Sequence, residues 1–215
     1  MATERLRRQL AENKELYPTG LLQESPRASY FGRPSVKVGT LFNKREDVKN
    51  ARLHNHTFAG IAHREGRAFA IVLSGGYEDD EDYGDVILYT GTGGQKDSFS
   101  NSGQAQTFDQ TFDDPANKAL QQSFKDKISI RVIRRGGKDT KHNKYAPILP
   151  AGHNQIYRYD GLYDIKEVKA LSIAFHPATE CSLKCREDKG KAGFKICRFR
   201  LERCPGQTPL GLVEE

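Results

Sequence analysis

Short apolar runs broken by Gly, Asp and charged residues dominate this chain, and their spacing changes along its length. Phe69–Leu73 and Val86–Thr90 are apolar, β-branched and aromatic runs bounded by Gly and Asp, which predicts two β-strands. Ser74-Gly75-Gly76 ends the first and Gly91-Thr92-Gly93-Gly94 the second. Over Ile128–Arg134, Ile128, Ile130 and Val132 alternate with Ser129 and Arg131, the period of a half-buried strand. Phe194–Leu201 predicts a final strand. Helical spacing occurs twice. Asp114-Pro115 supplies an N-cap and a first-turn proline, and the helix that follows is expected to carry Ala119, Leu120 and Phe124 onto the core. Leu6, Leu10 and Leu16 among Arg, Glu and Lys predict a short amphipathic helix from near Thr3, interrupted by Gly20 and Pro26. Ser25–Val36 then reads as an extended arm, either packed on the surface or using Arg27 and Arg33 to hold phosphates. Gly39-Thr40-Leu41-Phe42 opens the domain proper, with Asn43-Lys44-Arg45 read as a solvated strand end.

Composition narrows the class. A chain of 215 residues is one domain, or one domain with a tail. With 36% hydrophobic residues and a mean hydropathy of -0.71 it has a strongly polar surface. The net charge of +6 and pI near 9.1 suit phosphate binding and equally suit ordinary solubility. No apolar run approaches membrane-spanning length, and the N-terminus lacks the apolar core of a secretion signal. The expected compartment is therefore reducing, with the four cysteines as thiols.

Against that basic background, Glu78 to Asp85 is acidic, and it is flanked by Tyr77 and Tyr89 at the ends of glycine-bounded strands. Two rings with a carboxylate between them fit a planar, amine-bearing ligand, the rings stacking and the carboxylate accepting. The bland alternative is a plain hairpin with a solvated acidic loop. Asp79, Glu81, Asp82 and Asp85 read as surface or turn groups; carboxylates at such spacing also fit hard cations, but no EF-hand pattern is present. His54-Asn55-His56 spells the name of a nuclease motif, yet three adjacent residues cannot supply its ββα metal unit. Cys181 and Cys185, with His176 nearby and Cys197 and Cys204 further on, form an irregular set for which zinc is a minor alternative to no metal. No nucleophile–base pair is evident, so neither enzyme nor cofactor is expected.

Seven blocks, in order, carry a resemblance: Ser-Gly-Gly-Tyr-Glu-Asp-Asp (74–80), Tyr-Thr-Gly-Thr-Gly-Gly (89–94), Asp109-Gln110, Asn117-Lys118-Ala119-Leu120, Arg131-Val132-Ile133-Arg134, Tyr145-Ala146-Pro147 and Tyr157-Arg158-Tyr159-Asp160-Gly161-Leu162-Tyr163. In order and spacing, from roughly Val36 to Leu210, they resemble the SRA (SET- and RING-associated) or YDG domain, including its stand-alone fungal-type members. The resemblance implies an α+β, mainly β fold, a twisted PUA-like β-barrel with a few flanking helices over 36–212, preceded by a helix and arm over 1–35. It implies a nuclear, monomeric reader of double-stranded DNA containing 5-methylcytosine, with chromatin proteins as further partners. The methylated base swings out of the stack into a pocket.

By position, Tyr77 and Tyr89 match the rings that sandwich that base and Asp80 the carboxylate that reads its edge. Thr90 and the backbone of Ser74, Gly75 and Gly76 complete the edge, and Thr92 sits beside the 5-methyl group. Phe58, with Asn55 nearby, falls at the tip of the loop that enters the minor groove and fills the vacated space; the other reading of Phe58 is a core residue. Ser100, Asn101 and Ser102 lie where vertebrate hemimethyl readers carry an Asn-Lys-Arg finger. The missing Arg puts hemimethyl-CpG preference in doubt and favours relaxed reading of methylcytosine. Arg33, Lys96, Arg135, Lys138 and Lys141 are candidate phosphate contacts, although the basic loop from Arg134 to Lys144 also reads as a solvated hairpin. The Tyr157–Tyr163 signature is expected to be structural, with a turn at Asp160-Gly161, and Cys204–Leu210 matches the closing turn. Two other classes remain open: the targeting module of a larger methyltransferase, ligase or nuclease, though no such module is expected in this sequence itself, and a protein-interaction domain without base flipping.

Overall fold

The computed structural model describes residues 30–75, 77, 79–95, 106–140, 143–169 and 193–210. Among these, eight strands and two helices follow in the order β1 (Leu41–Phe42), α1 (Arg45–Asn50), β2 (Ile61–Arg64), β3 (Arg67–Leu73), β4 (Glu81–Asp82), β5 (Val86–Thr90), α2 (Pro115–Lys125), β6 (Ile130–Gly137), β7 (Gln155–Lys169) and β8 (Arg198–Arg203). The strands form one sheet in the order β2-β3-β6-β7-β8-β5-β4, with β1 added to β7. Every pairing is antiparallel except β3 with β6.

The sheet curls. Gly60, at the entry to β2, and Tyr89, on β5, are five strand spacings apart along the ladder, roughly 24 Å in a flat sheet. Yet a methyl group on Gly60 would stand only 2.9 Å from the Tyr89 hydroxyl. The curl encloses a core of Ile61, Ile71, Leu73, Ile87, Tyr89, Ile130, Val132, Tyr163, Phe199 and Leu201, sealed by Ala119 and Leu120 of α2. A second core lies on the other face, where Phe42, Val48, Leu53, Phe69, Ile133, Tyr157 and Tyr159 meet the start of the described chain. There Tyr30 and Phe31 pack on Phe69 and the buried Arg131 donates to Gly32 O, so residues 30–36 are part of the fold's packing. Between β2 and β4 no hydrogen-bonded pairing closes the ladder among the described residues; the expected barrel is seen here as a curled, mainly β sheet.

Several local expectations change. Asp160-Gly161 is a bulge inside β7 and makes no turn: Val132 pairs with Gly161 and Ile133 with Tyr159, which leaves Asp160 as the extra residue. Gly161 takes φ +104, and a side chain there would strike Gln207 Oε1. The bulge switches face, and that is why Tyr157 and Tyr159 enter one core while Tyr163 enters the other. Gln207, in the closing segment, plugs the bulge with bonds to the N–H and C=O of Leu162, both 2.8 Å. Asn43-Lys44-Arg45 follows the end of β1 and leads into α1, with Arg45 half-buried as the first helical residue and not solvated. Phe124 is exposed, and the neighbouring Ser123 turns inward to donate to Ala68 O at 2.8 Å. β6 and β8 begin two and four residues later than the apolar pattern suggests.

Candidate functional site

The site is built on the pairing of β4 with β5. Glu81 faces Leu88 and Asp82 faces Ile87, and the same register sets Asp80 opposite Tyr89. Opposed residues share a face, and Ile87 and Tyr89 are buried, so Asp80 and Asp82 turn inward.

Asp82 is therefore no surface group. Arg134 forks onto it, Nε to Oδ2 at 2.8 Å and Nη2 to Oδ1 at 2.7 Å, while Nη2 also donates to Gly84 O at 2.7 Å. The other arm of Arg134 reaches Asp160 Oδ2 at 2.7 Å, and Arg158 meets the same carboxylate at 2.5 Å. Asn143 adds a 2.8 Å bond to Asp82 Oδ2. Burial pushes the Asp82 carboxyl up, but the bonds and charge of Arg134, with Asn143 and the Gly84 N–H, outweigh it and hold the carboxyl below its ordinary range. Four charged side chains thus pin the acidic hairpin to β6 and β7, two residues from Asp80.

Among the described residues no cation pairs with Asp80. Its Oδ1 accepts from the Thr90 N–H at 2.7 Å. Burial, offset in part by that bond and reinforced by the charges of Asp79 and Asp82, raises its pKa to about 7. Thr90 is fully buried; its Oγ1 lies close enough to favour the ionised carboxyl, yet it has no partner in hydrogen-bond geometry. Tyr89 is buried, and burial together with the charges of Asp80 and Tyr77 raises its pKa well above 10.0. Burial also raises Tyr77, partly offset by hydrogen bonds with Thr92 and the Gly93 backbone. The structure thus brings Tyr77, Asp80, Tyr89, Thr90 and Thr92 together. Ser74 and Gly75 follow β3 and face β6 and the segment after it: Arg135 donates to Ser74 O at 3.1 Å, and Gly75 takes φ +70 against the Thr140 methyl.

Two residues that support the site were legible only as part of the family resemblance. Asn117, fully buried on α2, accepts from Thr92 N at 2.8 Å and donates to Thr92 O and Thr111 O, both at 2.9 Å. Gln110 donates to Gly91 O at 2.9 Å and accepts from Cys197 N at 3.0 Å. Together they fix the 91–93 turn, and Gly91 must be glycine because a side chain there would meet Asn117 Oδ1. Asn117→Ala is expected to destabilise the fold by about 1–3 kcal/mol in urea unfolding, the cost of buried amide and carbonyl groups left unpaired.

Phe58 is 95% exposed, which excludes the core reading. Asn55 donates to His63 O at 3.5 Å, and its Oδ1 is buried without a partner. Arg33 and Lys138 are exposed, whereas Arg135 is half-buried against Ser74. Cys197 and Cys204 are free thiols at opposite ends of β8, roughly 20 Å of strand apart, so one metal ion cannot bridge them. Burial raises Cys197 to about 12. Gly76, Lys96, Ser100, Asn101, Ser102, Lys141, His176, Cys181 and Cys185, like Arg27, lie outside the described residues. Among the described residues no helix is long and apolar enough to cross a membrane.

Comparison with known proteins gives this geometry a context. The SAD/SRA domain model matches residues 30–172. A UHRF1-like protein of Cryptococcus neoformans is 38% identical over 191 residues, covering 84% of this chain and 48% of that protein. The E3 ubiquitin-protein ligase UHRF1 of Bos taurus is 33% identical over 191 residues, covering 82% of this chain and 21% of the relative. The chain therefore spans about half of the first relative and about a fifth of the second. The SRA domain of SUVH5 is similar in structure. Its complex with hemimethylated CG DNA superposes with a TM-score of 0.57 at 30% identity, covering 84% of this chain and 96% of that one. Its complex with methylated CHH DNA gives 0.57 at 30% over 84% and 97%.

Proposed function

Because the chain belongs to the SAD/SRA domain family, we propose that it reads methylated DNA by taking an extrahelical 5-methylcytosine between Tyr77 and Tyr89, with Asp80 and Thr90 at the base's edge. One observation carries the reading: Tyr77, Tyr89, Asp80 and a fully buried Thr90 hydroxyl come together, the hydroxyl has no partner in hydrogen-bond geometry, and no cation pairs with Asp80 among the described residues. Such a pair costs stability in the free protein, and a ligand with its own donor and acceptor relieves it. Thr92 and the Ser74–Gly76 backbone frame the base, Phe58 enters the space it leaves, and exposed Arg33 and Lys138 reach phosphates. On this reading the curled sheet is the wall of a twisted barrel around the pocket.

The polar loop at Gln95–Gln106, without an Arg at the finger position, supports relaxed reading of hemimethylated and fully methylated sites, inside or outside CG. SUVH5 SRA, solved with hemimethylated CG and methylated CHH DNA, is a relative with that range. The domain itself binds and does no chemistry. The larger size of the UHRF1 relatives favours a place as the targeting part of a nuclear, chromatin-modifying enzyme.

The test is binding to matched unmodified, hemimethylated and fully methylated duplexes at one fixed salt concentration. Wild type is expected to prefer both methylated forms, and Tyr77→Ala and Asp80→Ala to lose about tenfold or more of that preference, since one base–ring stack contributes about 1–3 kcal/mol. Unmodified-duplex affinity should stay near wild type. Equal binding of all three duplexes by wild type overturns the reading.

A further inference from the structure

The sequence leaves Arg45 and His54 without a role, yet both reach into the loop that ends at Phe58. Arg45, in the first turn of α1, sends Nε to Thr57 O at 3.3 Å and Nη2 to Ala59 O at 2.6 Å, the carbonyls on either side of Phe58. Nη2 also lies 3.4 Å from His54 Nδ1. The buried His54 ring has Nδ1 2.9 Å from His56 O and Nε2 3.4 Å from Gly60 O. In either neutral tautomer it binds one of these carbonyls. Burial and the Arg45 charge lower the His54 pKa well below 6.5, so the ring is neutral at working pH. Gly60 O accepts a further bond from Val72 N at 2.8 Å, which ties the loop to β3.

The carbonyls of residues 57, 59 and 60 are thus held from beneath in either tautomer, and that of residue 56 as well when His54 Nδ1 carries the proton, while the ring of Phe58 stands 95% exposed. The same unit abuts the candidate pocket: Gly60 packs under the Tyr89 hydroxyl, where even a methyl group would stand 2.9 Å from it. The Arg45 guanidinium has its pKa lowered to about 10 by desolvation, partly offset by Tyr157 and Tyr89, and its Nη1 is buried with no partner.

We propose that Arg45 and His54 are positioning residues that hold the 56–60 loop in one conformation, so that Phe58 enters the duplex already ordered and in fixed register with the pocket. This rests on the wedge role given to Phe58 above. An insertion that had first to freeze a loose loop would lose conformational entropy on every encounter; the fork of Arg45 removes that loss in advance. Lysine has all its donors on one nitrogen and lacks the planar fork whose separate nitrogens reach Thr57 O and Ala59 O.

The experiment is a double-mutant cycle with Arg45→Lys and Phe58→Gly, reading affinity for a methylated and an unmodified duplex at fixed salt, with urea midpoints measured alongside. Each single variant is expected to weaken methylated-duplex binding about tenfold, and the double variant to be no more than about twofold weaker than Phe58→Gly alone. A structural role for Arg45 would not be absorbed in this way. Arg45→Gln, run in the same cycle, serves if the lysine retains part of the contact. If Phe58→Gly leaves binding unchanged, the wedge reading itself fails. If Phe58→Gly weakens binding but both Arg45 variants are silent or fully additive, the positioning role is overturned while the wedge stands.

Discussion

Affinity for a methylated duplex is expected to fall about fifteenfold between pH 7.0 and 8.5. A cytosine edge offers an N4 amine, which donates, and N3, which accepts. The protonated Asp80 carboxyl matches both, its hydroxyl donating to N3 and its other oxygen accepting from N4. Ionised, it sets an acceptor against N3. The bound state therefore holds a proton, and the free carboxyl, with a pKa of about 7, supplies it without cost below that pH. Above it, each pH unit costs about tenfold. The sign follows from the raised pKa: the favourable form is fully present at low pH and is lost as pH rises through 7.

Asp80→Asn keeps an N–H and a C=O at every pH, so it should bind with a flat profile, whereas Asp80→Ala should lose the preference altogether. Anisotropy titrations at constant ionic strength, with the unmodified duplex subtracting the general charge effect, measure this. A flat wild-type profile would remove the shared proton, and so would a sloped one in Asp80→Asn.

Arg134→Met is expected to be the most destabilising single change in the described fold. Arg134 is the cation common to Asp82 and Asp160, with all three side chains almost wholly out of solvent. Replacing it leaves two buried carboxylates, of which only Asp160 keeps a second arginine. Breaking such a set costs about 3–5 kcal/mol, which for a domain of this size lowers Tm by about 10 °C.

The acid limb should change as well. Asp82, held below its ordinary pKa of 3.8, contributes stability that is present above that value and disappears as pH falls through the lowered one. Wild type should therefore lose stability from about pH 4 downward more steeply than the methionine variant. Since the same network anchors β4, preference for methylated DNA should fall with it. A loss below about 1 kcal/mol in urea unfolding would mean that water screens the network.

How much of this was legible in the chain depends on distance along it. The strands at 69–73 and 86–90 and the capped helix at 115 were readable because their signals are local: β-branched runs, flanking glycines, and an Asp-Pro pair that satisfies its own first turn. Tyr77, Asp80 and Tyr89 were nameable because they sit within one hairpin, and the family resemblance supplied their roles. Asp82 was not. Composition places a carboxylate in a run of five acids on the surface, and only Arg134, fifty-two residues later, turns it inward. Arg45 failed for the same reason, since a solvated strand end and a buried clamp look alike until the 57–59 carbonyls arrive.

The long strand at 155–169 shows the limit most clearly. Both its faces are covered and the Asp160 bulge breaks the alternation, so no single period runs through it. The sequence by itself determined where the strands at 69–73 and 86–90 and the capped helix lie, which residues carry rings and acids near one another, and which family the pattern belongs to. Tertiary structure alone decided which acids are paired and which stays protonatable. It also decided which aromatic is left in solvent, because burial and charge pairing are set by groups brought together from distant parts of the chain.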